Sequence, residues 1–139
     1  MTDAYRAAWS DAGRPAEDLP LLGRSHHLVI ADTDAEALDL LRPAYREWFA
    51  SLDHLWREHG TRVPIPIPED PDAALAAGLC VAGSPATVRD RLLDECDRAG
   101  VNYLLGRFAF GALPVEASLR SVELFGAEVA PAFADGAAV

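Results

Sequence analysis

The sequence predicts an α/β fold in which parallel strands alternate with helices. Short, almost wholly apolar runs, Leu28-Val29-Ile30-Ala31, Leu79-Cys80-Val81-Ala82 and residues 101–108, stand between segments with helical apolar spacing. Strands nearly all apolar, rather than apolar at alternate positions, belong in a parallel sheet covered on both faces. With 139 residues, half of them apolar, the chain can bury one core, and residues 1–139 read as a single domain. A complete (β/α)8 barrel spends about 31 of its roughly 250 residues on each unit, so this length suffices for about four and a half. Three strands are visible, which leaves a small open sheet or part of a barrel.

Each element follows from local chemistry. Thr2 can cap a short helix through Tyr5, Ala8 and Trp9 that stops at Gly13. The run Leu28 to Ala31, after His26-His27, is β-branched in the middle and reads as a buried strand. Thr33-Asp34-Ala35-Glu36 then forms a capping-box pattern, with Thr33 and Glu36 placed to satisfy first-turn amides. The helix it opens places Leu38, Leu41, Tyr45, Trp48, Phe49, Leu52 and Trp56 at three- and four-residue steps before Gly60. Pro43 inside that pattern deletes an amide donor, so a kink or two helices are expected.

In residues 61–71, Pro64, Pro66 and Pro68 alternate with Val63, Ile65 and Ile67. Alternating prolines cannot join a central ladder, so this is an extended loop laid over a surface. A short helix over residues 71–77 ends near Gly78, and the second strand follows. Ser84 is the N-cap and Pro85 the first residue of the next helix, whose stripe is Val88, Leu92, Cys96 and Ala99, with Gly100 as its stop. The third strand delivers Arg107 at its end. The last helix begins near Pro114, presents Leu119, Val122, Phe125 and Val129 on one face, and ends at Pro131. Residues 134–139 are a small-residue tail expected to fray.

Composition excludes several functions. With 22 acidic and 12 basic residues, the formal charge of −10 opposes binding to a phosphate backbone, so no nucleic-acid partner is expected. No apolar stretch is long enough for a membrane span and the N-terminus has no signal-peptide pattern, so a cytoplasmic protein is expected. All basic residues are Arg, which removes Schiff-base and P-loop lysine chemistry. Cys80 and Cys96 fit neither a C-x-x-C nor a zinc spacing and read as small core residues. His26 and His27 fall on opposite sides of a strand, and His54 and His59 are separated around a helix, so no metal site is expected. The sequence has no G-x-S-x-G, Walker or G-x-G-x-x-G motif.

Ligands of parallel α/β proteins sit at the carboxyl ends of strands, here Asp32-Thr33, Gly83-Ser84 and Arg107-Phe108. Thr33 and Ser84 are accounted for as caps, although the Ser84 helix start could also take an anion. A guanidinium ending an apolar strand needs an anion, a carbonyl, a stacking partner or a structural carboxylate, and this makes Arg107 the best single candidate. The Tyr45-Trp48-Phe49-Trp56 stripe reads as core or subunit interface.

Four marks give the chain a family resemblance: Gly83-Ser84-Pro85-x-x-Val88 opening a helix, Gly100-Val101-Asn102-Tyr103-Leu104 in the next strand, Arg107-Phe108 at its end, and R-S-V-E-L-F-x-x-E-V-x-P over residues 120–131. In this order and spacing they resemble the C-terminal part of luciferase-like monooxygenases, the bacterial-luciferase superfamily of flavin-dependent enzymes. Residues 31–37 resemble the family's strand-to-helix junction. The resemblance implies about the C-terminal half of a TIM (β/α)8 barrel. It also implies FMN or a deazaflavin as cofactor, without metal, and a small organic substrate that is oxygenated or exchanges a hydride. Homo-oligomers and a separate flavin reductase are the implied partners. Gly83, Ser84, Arg107 and Phe108 match family positions near the open face of the barrel and are the candidate cofactor contacts. The first half of the barrel, which supplies most of the family's flavin contacts, has no counterpart in these residues. The alternative is therefore a non-catalytic half-barrel that dimerises or docks on a partner.

Overall fold

In the computed structural model, described over residues 2–134, three parallel strands form the sheet: β1 (Gly23–Ile30), β2 (Cys80–Gly83) and β3 (Tyr103–Arg107), in the order β2-β1-β3. The two outer strands use different halves of β1. Residues 27–30 pair with β2, and residues 23–27 pair with β3. The helices are α1 (Thr2–Asp11), α2 (Asp34–Glu58), α3 (Pro71–Ala76), α4 (Pro85–Ala99), α5 (Val115–Leu124) and α6 (Pro131–Ala134). Parallel strands alternating with helices are what the sequence predicts. The tail beyond residue 134 lies outside the described residues.

Successive β1 side chains point to opposite faces, and each face has its own core. Val29 and Ala31, with Cys80 and Ala82 of β2, pack under Leu41, Tyr45 and Phe49 of α2 and Ala74 of α3. Leu28, Ile30 and Val81 pack against Val88 and Leu92 of α4 and against Leu124 and Val129. Helices thus cover both faces, and β3 lies across β1 from β2, whereas in a plain barrel arc successive strands are neighbours. β1 takes the centre, where its buried second half, Leu28-Val29-Ile30, lies between helices on both faces.

Several local signals act as the sequence predicts. The Thr33 hydroxyl accepts from the Glu36 amide at 3.2 Å, and Ser84, Pro85 and Gly100 occupy the N-cap, first-turn and left-handed C-cap positions of α4. Residues 61–70 form neither helix nor strand. They are tied to α2 by the Val63 amide donating to Asp53 Oδ1 at 3.0 Å and by the Tyr45 hydroxyl donating to the Pro68 carbonyl at 2.6 Å.

Three expectations are corrected. Of the kink or two helices expected at Pro43, two helices do not form: α2 runs unbroken from Asp34 to Glu58, with this exposed proline on its outer side. The third strand is not buried on both faces: Tyr103 and Leu105 are each 47% exposed, because α2 packs on β1 and β2 and stops short of this edge strand. On α5 the buried residues are Ser121 and Leu124, whereas Leu119 and Val122 are exposed. Ser121 sets that face: its hydroxyl accepts from the Ile30 amide at 2.9 Å and donates to the Ile30 carbonyl at 3.0 Å, satisfying β1 beyond the end of β3. A π-helical turn, Phe125–Val129, then brings Val129 into the core; this helical run stops before Pro131, as expected, and Pro131 opens the short α6.

Candidate functional site

The four residues matched to the family's open face lie at the carboxyl ends of the two outer strands, with β1 between them. Gly83 is in register with Ile30 and Arg107 with His27, three positions earlier on β1. Gly83 and Ser84 are committed to a helix junction. The Ser84 amide donates to Asp34 Oδ1 at 2.7 Å, and the Thr87 hydroxyl donates to Asp34 Oδ2 at 3.1 Å. These hydrogen bonds hold the Asp34 carboxyl below the ordinary carboxylate range, led by the Ser84 amide. A Cβ on Gly83 would come within 2.9 Å of Asp34 Oδ1, so only glycine leaves room for the carboxylate. The start of α4 therefore already holds an anion, the side chain of Asp34.

Arg107 and Phe108 diverge, as adjacent strand-end residues must. Phe108 packs into the α4-side core, its ring 5.4 Å from that of Phe125. Arg107 turns to the α2 side. Its Nε is buried with no hydrogen-bond partner, and it takes part in no ion pair among the described residues.

Arg107 stands beside a residue passed over in the sequence. His27 is 1% exposed, and neither ring nitrogen has a partner among the described residues. Its imidazole lies 4.4 Å from the Trp48 ring, 4.3 Å from Phe110 and 6.2 Å from Tyr45. Burial, reinforced by the Arg107 charge, lowers its pKa to about 4, so it is neutral at pH 7. One nitrogen then offers a hydrogen and the other a lone pair. Phe110 arrives on the turn after β3, where Gly111 at φ 52° passes so close to Ala44 that a Cβ would strike its carbonyl. The signal in the sequence was a histidine within an apolar strand, on the face that α2 covers with aromatic residues. The unpaired nitrogens were not legible there, because they depend on which groups the fold fails to bring near.

The other histidine has partners. His26 Nδ1 donates to the Gly78 carbonyl at 2.9 Å, and its Nε2 lies 3.6 Å from Glu95 Oε2. Arg24 and Arg91 flank the same carboxylate at 3.8 and 3.4 Å. A further cleft of about 290 Å³ opens at the carboxyl end of β1, lined by Asp32, Glu36, Pro114, Glu116 and Arg120, and Arg120 donates to Asp32 at 2.8 Å across it. Among the described residues no group of three or more His, Cys, Asp or Glu could hold a metal ion. No described helix is long and apolar enough to cross a membrane.

A parallel α/β chain with unsatisfied donors on one sheet face is suited to presenting part of a cofactor or substrate site. The description of the luciferase-like monooxygenases matches residues 1–103, and the chain belongs to this family. It is 37% identical over 119 residues to the uncharacterised protein y4wF of Sinorhizobium fredii, spanning 86% of this chain and 35% of that one. Among solved structures it is similar to the oxygenating constituent of 3,6-diketocamphane monooxygenase from Pseudomonas putida, a type II Baeyer–Villiger monooxygenase in complex with FMN. That match has a TM-score of 0.65 at 24% identity and covers 94% of this chain and 38% of the other. It is also similar to apo-MsnO8, with a TM-score of 0.57 at 27% identity, over 95% of this chain and 40% of the other. The neighbours are TIM barrels. The chain thus spans little more than a third of the length of these relatives.

Proposed function

We propose that this chain forms about the C-terminal half of the barrel of a flavin-dependent monooxygenase that acts on a small organic substrate. The single observation that carries the reading to a site is the buried, unpartnered Arg107 Nε beside an equally unpartnered His27. Groups left in this state lose hydrogen bonding that water supplied in the unfolded chain, and a ligand with acceptor atoms restores it. A flavin offers carbonyl acceptors that meet this demand. When bound, the flavin supplies the redox chemistry, and the chain's residues orient it and exclude water. Arg107 is the contact we favour among the four candidates; Gly83, Ser84 and Phe108 shape the surrounding strand ends. FMN is the flavin favoured here, with a deazaflavin as its rival, reduced by a separate reductase and bound in a homo-oligomer.

The test is a titration of FMN with the purified chain, following flavin fluorescence and oligomeric mass together. Saturable quenching at micromolar concentrations is expected, and its absence overturns flavin binding by this chain. The second reading, a non-catalytic half-barrel that associates with itself or a partner, is favoured by the exposure of Tyr103, Leu105, Val115, Leu119 and Val122. It predicts association with no flavin bound.

A further inference from the structure

We infer that the cleft between α2 and the proline-rich loop binds a free α-amino acid with an apolar side chain, at a site independent of the flavin reading. The cleft, of about 470 Å³, lies between one face of α2, carrying Arg46, Phe49, Asp53 and Arg57, and residues 69–71. At its centre is Asp53, which is 1% exposed. Asp53 Oδ1 accepts from the Val63 amide at 3.0 Å, but Oδ2 is buried and accepts no hydrogen bond among the described residues. Arg62 Nε at 3.1 Å and Arg57 Nε at 4.0 Å balance its charge without supplying that bond. Both arginine side chains are more than half exposed, so neither seals the oxygen against a better-placed donor. A buried carboxylate oxygen in this state is met most strongly by a charged donor such as an ammonium group. Asp70, with one oxygen on the Ala73 amide at 2.9 Å, adds a second carboxylate from the facing side. Arg46 supplies the opposite charge. It takes part in no ion pair among the described residues, and it precedes Asp53 by two helical turns, about 10 Å along the axis. The long guanidinium side chain closes part of that span, and the adjacent carboxylate and ammonium of an α-amino acid fill the rest. Between them Phe49, 5% exposed, and the buried Pro71 form an apolar floor for the side chain. A simple anion would meet two carboxylates here, and a simple cation would leave Arg46 unused. A zwitterion satisfies both.

The experiment titrates the isotope-labelled chain with L-leucine and follows its amide resonances by NMR. The same titration is run with L-leucinamide, 4-methylpentanoate and glycine, which lack the carboxylate, the ammonium group and the side chain in turn. L-leucine should saturate at about 1 mM or below, moving the Val63 and Ala73 amides that bond to Asp53 and Asp70. Each analogue should bind about tenfold more weakly or worse. Arg46→Met removes the carboxylate's partner at an exposed position and should bring L-leucine down to the affinity of L-leucinamide. Asp53→Asn keeps an acceptor for the Val63 amide and should bring L-leucine down to the affinity of 4-methylpentanoate. If Asp53→Asn does not fold, Arg46→Met and the analogues still decide. No saturation by L-leucine, shifts centred away from this cleft, or equal affinity for L-leucine and L-leucinamide would each overturn the inference. Arg46→Met binding L-leucine as tightly as the unchanged chain would do the same. None of these outcomes touches the flavin reading, which the FMN titration decides separately.

Discussion

At the scale of single residues, what distinguishes this chain is which buried polar groups have partners. Asp53, 1% exposed, accepts from the Val63 amide and lies 3.1 Å from the Arg62 guanidinium, so its charge is compensated. Cys80 is a plain core residue, its thiol pushed up to about 12 by burial and so unreactive at neutral pH. His27 has no such compensation. The groups facing it are Arg107 of β3, Tyr45 of α2 and Cys80 of β2, and none is an anion at pH 7. Its pKa is about 4 in the fold and about 6.5 in an unfolded chain, so between those values the unfolded state binds the extra proton. Stability should therefore be complete above pH 6.5 and fall as the pH drops toward 4, by about 3 kcal/mol at most from this group. Burial lowers His26 as well, adding a slope of the same sign. Urea unfolding at pH 7 and pH 5 should show the loss, and His27→Leu should reduce it. An unchanged pH dependence in that variant would mean that the imidazole is hydrated in solution.

At the scale of elements, capping chemistry was the most legible part of the sequence. Thr33, Ser84, Pro85 and Gly100 occupy the positions assigned to them because cap residues act on backbone groups within three or four positions. Ser84→Ala should cost about 1 kcal/mol in thermal or urea unfolding. Asp34→Ala should lower the melting temperature further, since it removes the acceptor of both the Ser84 amide and the Thr87 hydroxyl across 50 residues of chain. If Asp34→Ala is the milder change, the carboxylate is incidental to the junction. That junction was hidden in the sequence, where Asp34 reads as a first-turn acid of its own helix. The buried face of α5 was hidden for a related reason. Leu119 and Val122 have helical spacing, but the face is chosen by the Ser121 hydroxyl meeting a strand residue 91 positions away. Arg107 was legible as a strand-end guanidinium in want of an anion, but the partner that shares its lack, His27, emerges only from the β1–β3 register.

For the whole molecule, the decisive contrast is between a well-covered centre and a bare flank. β1 pairs with β2 through residues 27–30 and with β3 through residues 23–27, and its second half is buried, while β3 pairs among the described residues on one side only and exposes Tyr103 and Leu105. Val115, Leu119 and Val122 line an uncovered side of α5 with exposures of 67%, 59% and 49%. Large apolar side chains repay burial at roughly 1.5–3 kcal/mol each, and an unpaired strand edge adds hydrogen bonds to any chain that meets it. Opposing this is charge, since two copies each carry a net −10. At 0.15 M salt the Debye length is about 8 Å, so that repulsion is partly screened, and at 1 M it shrinks to about 3 Å. Self-association should therefore strengthen with salt, in contrast to association driven by ion pairs. Sedimentation or light scattering at low and high salt should show a mass above the 14.9 kDa monomer that rises with ionic strength. Leu105→Glu with Leu119→Glu should return the chain to monomer at both. A monodisperse 14.9 kDa species at both salt concentrations, with no binding of a hydrophobic dye, would mean that this flank is tolerated in water as it stands.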